Sequence, residues 1–100
     1  MIRGTTTTHI FNIPLEASDI KNVKITYSQN GNIVFYKKKS DCVISDNTIA
    51  VTLSQEDTFK LASSAHVKIQ LRILTDKNFV MSSKIMTVEV GDCLDNEVLK

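Results

Sequence analysis

An alternation of apolar and polar residues with a period of two runs through much of this 100-residue sequence and limits how it can fold. The clearest examples lie at positions 23–27, 49–53 and 67–73, where Val, Ile, Leu or Tyr occupies every second position. Successive side chains of a β-strand point to opposite faces, so each segment predicts a strand with one buried and one solvated face. β-branched residues are abundant in the same segments and favour strands further.

Short polar segments separate the strands and predict three hairpins. Asn30-Gly31 can adopt the positive φ angles of a two-residue type I′ turn. The segments 45–47 and 76–78 (Ser-Asp-Asn and Asp-Lys-Asn) are expected to form the other two turns. One predicted strand follows directly after Gly31. The other predicted strands are Thr5–Ile13, Ile20–Gln29, Cys42–Ile44, Thr48–Leu53, Val67–Thr75 and Phe79–Val90.

One segment, "LSQEDTFKLASS", breaks the two-residue period. Ser54 followed by Glu56 and Asp57 is typical of a helix N-cap with acidic residues in the first turn, where exposed amides favour them. We therefore expect one or two helical turns that cross between two strands.

The last predicted strand changes phase along its length. Phe79 and Ile85 share one parity, whereas Val88 and Val90 share the other. A slip of this kind predicts either a bulge near Met86-Thr87 or a strand that is buried on both faces there.

These elements together predict an all-β fold: an immunoglobulin-like antiparallel β-sandwich of about seven strands with one short helical crossover. One hundred residues are enough for one core, so residues 1–100 are expected to form a single domain. The predicted core residues are Phe11, Ile13, Val23, Ile25, Tyr27, Phe35, Ile49, Val51, Leu53, Phe59, Val67, Ile69, Leu71, Ile73 and Ile85.

The composition narrows the range of partners. Twelve Lys and Arg against eleven Asp and Glu give a net charge of +1, which supplies no general field to attract a polyanion. Sequence-independent DNA binders usually show a clear basic excess, so nucleic acid is disfavoured as a partner. No run of about 18 apolar residues is present, so no membrane-spanning segment is predicted.

The N-terminal segment "MIRGTTTTHIFNIPL" lacks the uninterrupted apolar stretch of a signal peptide, so we expect synthesis in the cytoplasm. In that reducing compartment Cys42 and Cys93 are expected to be free thiols that act as small apolar side chains. A disulfide between them stays open, and their spacing is not that of a metal site.

The sequence offers few residues for catalysis or metal binding. His9 and His66 could form a metal pair, or a couple with Cys42 or Cys93, but no local motif places a base beside a thiol. We interpret both histidines as strand-edge or surface residues. The acidic segment "GDCLDNE" lacks the full pattern of a calcium loop and is interpreted as a solvated tail. No catalytic residue, cofactor or metal ligand is therefore predicted.

Three surface features are candidate partner contacts. Lysines 37–39 end a strand, where they protect an exposed edge or contact a protein partner, with nucleic acid as the weakest alternative. The threonine run is either an edge strand or an arm that pairs with another subunit's sheet. Apolar residues of the tail either fold back or dock onto a neighbour. The predicted contacts are Thr5, Thr6, Thr7, Thr8, Lys37, Lys39, Leu94, Val98 and Leu99.

The segments "MIRGTTTTHIFNIPL", "LSQEDTFKL", "VKIQLRILTDKNFVMSSKIMTVEV" and "CLDNEVL" resemble a group of small, uncharacterised structural proteins encoded by phages and prophages of Gram-positive gut bacteria. The similarity covers nearly the whole chain. More distantly, the chain resembles the immunoglobulin-like N-terminal domains of phage baseplate proteins, although Asn78 stands where a turn glycine is expected. The resemblance implies a virion or assembly protein, and no functional residue is carried over.

We therefore expect a non-enzymatic phage structural or assembly protein that acts as a protein–protein interaction module in a capsid, a connector or a tail baseplate. Its partners would be other virion proteins or further copies of itself, and its location the virion. The alternative is a ligand-binding module, such as one that recognises carbohydrate at the host surface. The absence of tryptophan, which often stacks on sugars, counts against that alternative.

Overall fold

The alternating segments form strands that pair into two antiparallel β-sheets. The structure, a computed structural model, describes residues 1–100. Two 3-10 turns, at Ala17–Asp19 and Lys39–Asp41, connect strands. The regular elements are β1 (Thr7–Asn12), β2 (Ile20–Gln29), β3 (Asn32–Lys38), β4 (Cys42–Ser45), β5 (Thr48–Leu53), α1 (Gln55–Phe59), β6 (Val67–Thr75), β7 (Val80–Ser82) and β8 (Met86–Val88).

The strand order confirms the predicted sandwich. One sheet has the order β1-β5-β4, and the other has the order β3-β2-β6, with both β7 and β8 paired to the far side of β6. Immunoglobulin-like domains pair strands B, E and D in one sheet and C′, C, F and G in the other. The present order matches that arrangement without the first strand A, with β1 in place of B and α1 in the crossover from E to F.

All three predicted hairpin turns are present, and each contains an asparagine with positive φ. Asn30 and Gly31 have φ angles of 52° and 77°, as a type I′ turn requires. Asn47 and Asn78, in the other two turns, have φ angles of 66° and 65°. Asparagine tolerates this left-handed conformation better than most residues with a side chain, which explains its use at all three turns.

The predicted N-cap of the crossover helix is confirmed. The Ser54 hydroxyl accepts a hydrogen bond from the Asp57 amide at 3.1 Å, and the Asp57 carboxylate accepts one from the Ser54 amide at 3.0 Å. This reciprocal capping box satisfies amides that have no partner within a helix, and it allows a helix of only five residues to form between β5 and β6.

The core lies between the sheets and contains most of the predicted residues. Phe35 and Phe59 are only half-buried, and Ile85 is 58% exposed, so its assignment to the core was wrong. Three residues outside the predicted core list, Ile20, Leu61 and Val90, are also buried. The buried apolar residues are Phe11, Ile13, Ile20, Val23, Ile25, Tyr27, Ile49, Val51, Leu53, Leu61, Val67, Ile69, Leu71, Ile73 and Val90.

The prediction of one continuous strand over Phe79–Val90 was also wrong, because the segment forms the separate strands β7 and β8. Arg72 of β6 pairs with Ser82, and Ile69 of β6 pairs with Met86. These partners are three residues apart on β6 and four apart on the other segment, so one extra residue is inserted between β7 and β8. The phase change in the sequence is real, but its cause lies ahead of Met86 and Thr87.

Ser83 holds the inserted segment against β6. Its amide donates to the Leu71 carbonyl at 2.8 Å, and its hydroxyl accepts from the Leu71 amide at 3.0 Å. A side-chain oxygen thus replaces the backbone acceptor that an uninterrupted strand would supply. The insertion turns Ile85 towards solvent, which explains why alternation counted from Phe79 placed that residue in the core.

Candidate functional site

The threonine run lies at an edge of the three-stranded sheet. Strand β1 begins at Thr7 instead of the predicted Thr5, and it pairs only with β5. Thr8 lies opposite Thr52, and their hydroxyls are 2.9 Å apart. Thr5 precedes the strand, and its hydroxyl donates to the Ile2 carbonyl at 2.6 Å. Thr7 and Thr8 thus belong to an edge strand, and pairing of this run with another subunit's sheet stays a prediction.

The three lysines at the end of β3 do not form one patch. The Lys37 ammonium lies 2.7 Å from the Asp57 carboxylate, and both side chains are largely shielded, at 17% and 13% exposure. Lys38 is on the opposite face of the strand and is exposed. The Lys39 ammonium donates to the Ile20 carbonyl at 3.1 Å. Lys37 therefore stabilises the interior and Lys39 is bound to the backbone, which leaves the ammonium of Lys38 free to contact a partner.

The C-terminal tail folds back towards the start of α1. The side-chain amide of Gln55 both donates to and accepts from the backbone of Leu99, at 2.9 and 2.8 Å. The Arg3 guanidinium forms an ion pair with Asp92 at 3.3 Å. The side chains of Leu94 and Leu99 nevertheless face solvent, while Val98 is half-buried. The tail is thus held through its polar groups, and two of its apolar side chains stay uncovered.

The strongest candidate for chemistry in the interior is a cluster around Tyr27. Its hydroxyl lies 2.8 Å from Nδ1 of His9, and its ring stacks on Phe35 with a centroid distance of 4.7 Å. His9 and Cys42 both lie opposite Val51, one on each side of β5. The structure therefore brings together a histidine, a tyrosine and a cysteine that are distant in sequence. His9 lies on an edge strand, as interpreted, but its half-buried side chain points to Tyr27 in the core and not to the surface.

The electrostatics of this cluster are those of a structural element. Burial raises the pKa of the Tyr27 hydroxyl, and Cys42 and Asp57 raise it further. Burial and Asp41 raise the pKa of the Cys42 thiol, against a smaller opposing effect of Lys37. Nucleophilic cysteines need a lowered pKa because the thiolate is the reactive form. The cluster therefore keeps its groups neutral and serves to fill and tie the core.

The other candidate groups stay apart. His66 is exposed, and its Nε2 lies 3.7 Å from the Glu89 carboxylate. Cys42 and Cys93 are free thiols; the Sγ atoms donate to the carbonyls of Lys38 and Asp95. No group of three or more His, Cys, Asp or Glu residues is placed to hold a metal ion.

The open edge of the sandwich, which sequence reasoning missed, carries a cluster of exposed apolar side chains. We define it as the free edges of β1 and of β7–β8, together with the groove of about 410 Å³ between them. Phe11, Ile13, Leu71 and Ile73 contribute core side chains to the groove. The exposed apolar side chains at this edge are Ile10, Phe79, Val80, Met81, Ile85 and Met86.

A sequence signal for this edge was present. The consecutive apolar residues Phe79, Val80 and Met81, and then Ile85 and Met86, do not alternate with polar residues as the other strands do. Such runs place apolar side chains on both faces of the chain. In a strand that is covered on one face only, some of them must stay exposed.

Comparisons of this chain with protein-family models, with curated proteins and with solved structures return no match. The one α-helix, with five residues, falls far short of the length and apolar character needed to cross a bilayer. What the chain does must therefore be inferred from its own residues and geometry.

Proposed function

We propose that this chain is a non-enzymatic structural or assembly protein of a phage particle, and that it binds another protein through the open edge of its sandwich. The observation that carries the proposal is the concentration of exposed apolar side chains there. Ile10, 65% exposed, and Met81, 37% exposed, line a groove whose floor is core, and Phe79, 70% exposed, directly precedes β7. Apolar clusters of this kind on soluble proteins mark contact sites.

The two edges of the larger sheet differ in a way that supports this proposal. The β3 edge ends at the exposed Lys38, and charged residues at an edge discourage pairing with another chain. Neither β7 nor β8, at the other edge, contains a charged residue. Apart from Lys84, which lies between β7 and β8 and lines the groove, the chain thus leaves this edge uncharged and able to accept a neighbour.

A partner segment in extended conformation fits the geometry of the open edge. Its backbone would pair with free amides and carbonyls of β7 or β8, as in other cases of strand addition. Its alternate side chains would cover Met81 and Met86 and reach towards Phe11 and Ile13 in the groove. A standard interface buries about 800 Å² on each partner, so contacts beyond the groove would contribute as well.

The phage particle is the part of the proposal that depends on the resemblance in sequence. The phage assignment predicts that genes for portal, capsid or tail proteins lie beside the gene for this chain. It also agrees with an interaction surface as the main feature of the molecule, since particle proteins act by contacting repeated neighbours.

Particles purified from an induced lysogen that encodes the chain provide the test. We expect an antibody against the chain to detect it in the density-gradient band of the particles. Met81→Glu and Ile10→Glu place a charge on either side of the groove, and each should reduce the amount found in the band. Val43→Glu is the matched control, because Val43 is an equally exposed apolar residue on β4, at the opposite edge of the smaller sheet.

Circular dichroism of the purified variants separates loss of binding from loss of folding. Absence of the wild-type chain from the particles would refute the phage assignment. Equal incorporation of the wild type and of both folded edge variants would refute the role of the open edge.

A further inference from the structure

The outer face of the five-stranded sheet carries a row of basic side chains that the sequence does not reveal. Lys24 of β2 pairs in register with Lys38 of β3 on one side and with Arg72 of β6 on the other. All three side chains are exposed, on the face opposite Ile25 and Leu71 of the core. We call this row, together with Lys68 two rows along β6, the basic face.

No carboxylate forms an ion pair with the basic face, although the Asp41 carboxylate accepts a hydrogen bond from the Lys38 amide at 2.9 Å. The five strands of the sheet contain no Asp or Glu, and the chain's eleven carboxylates all lie outside its strands. The ion pairs of the structure involve only Arg3, Lys37 and His66 among the basic residues. Like charges directly opposite one another on neighbouring strands are destabilising. The net charge of the whole chain is therefore near zero although the basic side chains of this face lie apart from the carboxylates, which are all outside the strands.

Protection of a sheet edge does not explain this row. Strand β3 is at an edge, so Lys38 fits that role, but β2 and β6 are paired on both sides. Lys24 and Arg72 thus have no free backbone edge to protect. Between the row and Lys68 lies a hollow of about 70 Å³, whose lining includes the polar side chains Thr26, Ser28 and Gln70. The face is accordingly rich in hydrogen-bond donors for an acceptor-only group such as a carboxylate.

We propose that the basic face binds an acidic segment of a partner protein, at a surface distinct from the open edge. The cross-strand row spans about 10 Å, and an extended segment with carboxylates at alternate positions, about 7 Å apart, covers it. Charge complementarity of this kind fixes orientation and accelerates association. The inference stands whether or not the partner belongs to a phage particle.

Two observations favour a protein over a nucleic acid. The only aromatic residue on this face, Tyr36, has the Lys24 ammonium 3.9 Å from its ring centroid, so a base would have to displace that contact in order to stack on the ring. The carboxylates lie in the segments that connect the strands, so a polyanion that ran along the strands beyond the face would meet like charge.

The test compares labelled octaglutamate with a labelled 20-nucleotide oligo(dT) by fluorescence anisotropy at low ionic strength, with octaglutamine as the uncharged reference. We expect octaglutamate to bind more tightly than oligo(dT). Lys24→Gln/Arg72→Gln should weaken octaglutamate binding by about tenfold, as expected for two lost surface ion pairs. Lys77→Gln/Lys100→Gln removes two exposed charges elsewhere and should leave the affinity unchanged.

Each other outcome overturns the proposal. Absence of octaglutamate binding would refute an acidic ligand, and equal weakening in both double variants would show that only net charge matters. Tighter binding of oligo(dT) through the same residues would assign the face to nucleic acid. The variant remains interpretable because relief of repulsion across the row offsets loss of the contact between Lys24 and Tyr36, and a urea midpoint close to that of the wild type verifies that it is folded.

Discussion

His9 and Tyr27 are joined by a hydrogen bond of 2.8 Å that crosses from one sheet of the sandwich to the other. Tyr27 is fully buried, so without this partner its hydroxyl would carry a desolvation cost. The bond therefore satisfies a polar group in the core and fixes how β1 lies over β2. It also makes the stability of the fold depend on the protonation state of a histidine.

We predict that the protein loses stability as the pH falls below about 6.5. Burial and the N-terminal ammonium lower the pKa of His9 from 6.5. The unfolded chain therefore binds a proton at His9 more readily than the folded protein does. The stability that neutral His9 contributes is complete above pH 6.5, and it is lost as the pH falls through the pKa of His9 in the folded state. Urea midpoints measured from about pH 7 to about pH 5 should show this decrease.

The matched variants are His9→Gln and His66→Gln. The first retains a hydrogen-bonding side chain without a titratable ring, so its decrease over this range should be smaller than that of the wild type. The second removes an exposed histidine and should leave the decrease unchanged. Asp57, whose ordinary value is 3.8 and whose pKa is lowered in the fold, titrates below this window. An identical pH profile in the wild type and His9→Gln would contradict the prediction.

The position of His9 was within reach of the sequence, whereas the basic face was not. Phe11 and Ile13 were predicted to be buried, and His9 shares their parity in the same segment, so its inward direction followed from that assignment. The row formed by Lys24 and Arg72 depends on the register between strands that are nearly 50 residues apart. Periodicity gives the face of each residue on its own strand, but it does not give the partner across the sheet.

The open edge was missed for a different reason. The one-residue insertion between β7 and β8 changes which side chains face the core. Its position along the chain depends on the hydrogen bonding between Ser83 and Leu71. The sequence showed a phase change but could not locate it. Ile85 was consequently assigned to the core, and the groove beside Met81 was not expected.

We predict that Lys37→Met lowers the free energy of unfolding by about 2 kcal/mol, since it removes a charged hydrogen bond in a shielded position. Burial by itself acts to raise the pKa of Asp57, but hydrogen bonds from Lys37 and Ser54 outweigh it and lower the pKa. Without Lys37 the carboxylate should titrate at a higher pH, so acid unfolding should begin earlier. Urea and acid titrations followed by circular dichroism measure both effects.

Lys38→Met is the control for that experiment because it alters the neighbouring residue on the opposite, exposed face. It should change the unfolding free energy by less than about 0.5 kcal/mol. Similar losses for the two variants would show that the ion pair with Asp57 contributes nothing beyond a surface lysine.

We predict that Gly4→Ala destabilises the protein more than Gly31→Ala. Both glycines have a φ angle of 77°, so both variants incur the left-handed backbone cost of about 1–2 kcal/mol. An added Cβ at Gly31 meets no atom within 4 Å, whereas at Gly4 it comes within 2.5 Å of the Phe59 ring. Thermal unfolding of the two variants measures the difference.

The second variant Phe59→Leu identifies the cause of that difference. If displacement of the Phe59 ring causes the extra loss of stability, Gly4→Ala should destabilise the Phe59→Leu variant less than it destabilises the wild type. A double-mutant cycle measures this difference. Equal costs in the two backgrounds would contradict the assigned contact.

We predict that Ile69→Ala and Ile85→Ala differ in cost by at least about 1.5 kcal/mol. Ile69 is fully buried, and truncation of such a residue leaves a cavity that costs about 2–5 kcal/mol. Ile85 lies beyond the inserted residue, 58% exposed beside the basic face, so its truncation should cost less than about 0.5 kcal/mol. A loss at Ile85 as large as that at Ile69 would mean that the segment continues from β7 without an insertion and that Ile85 points into the core.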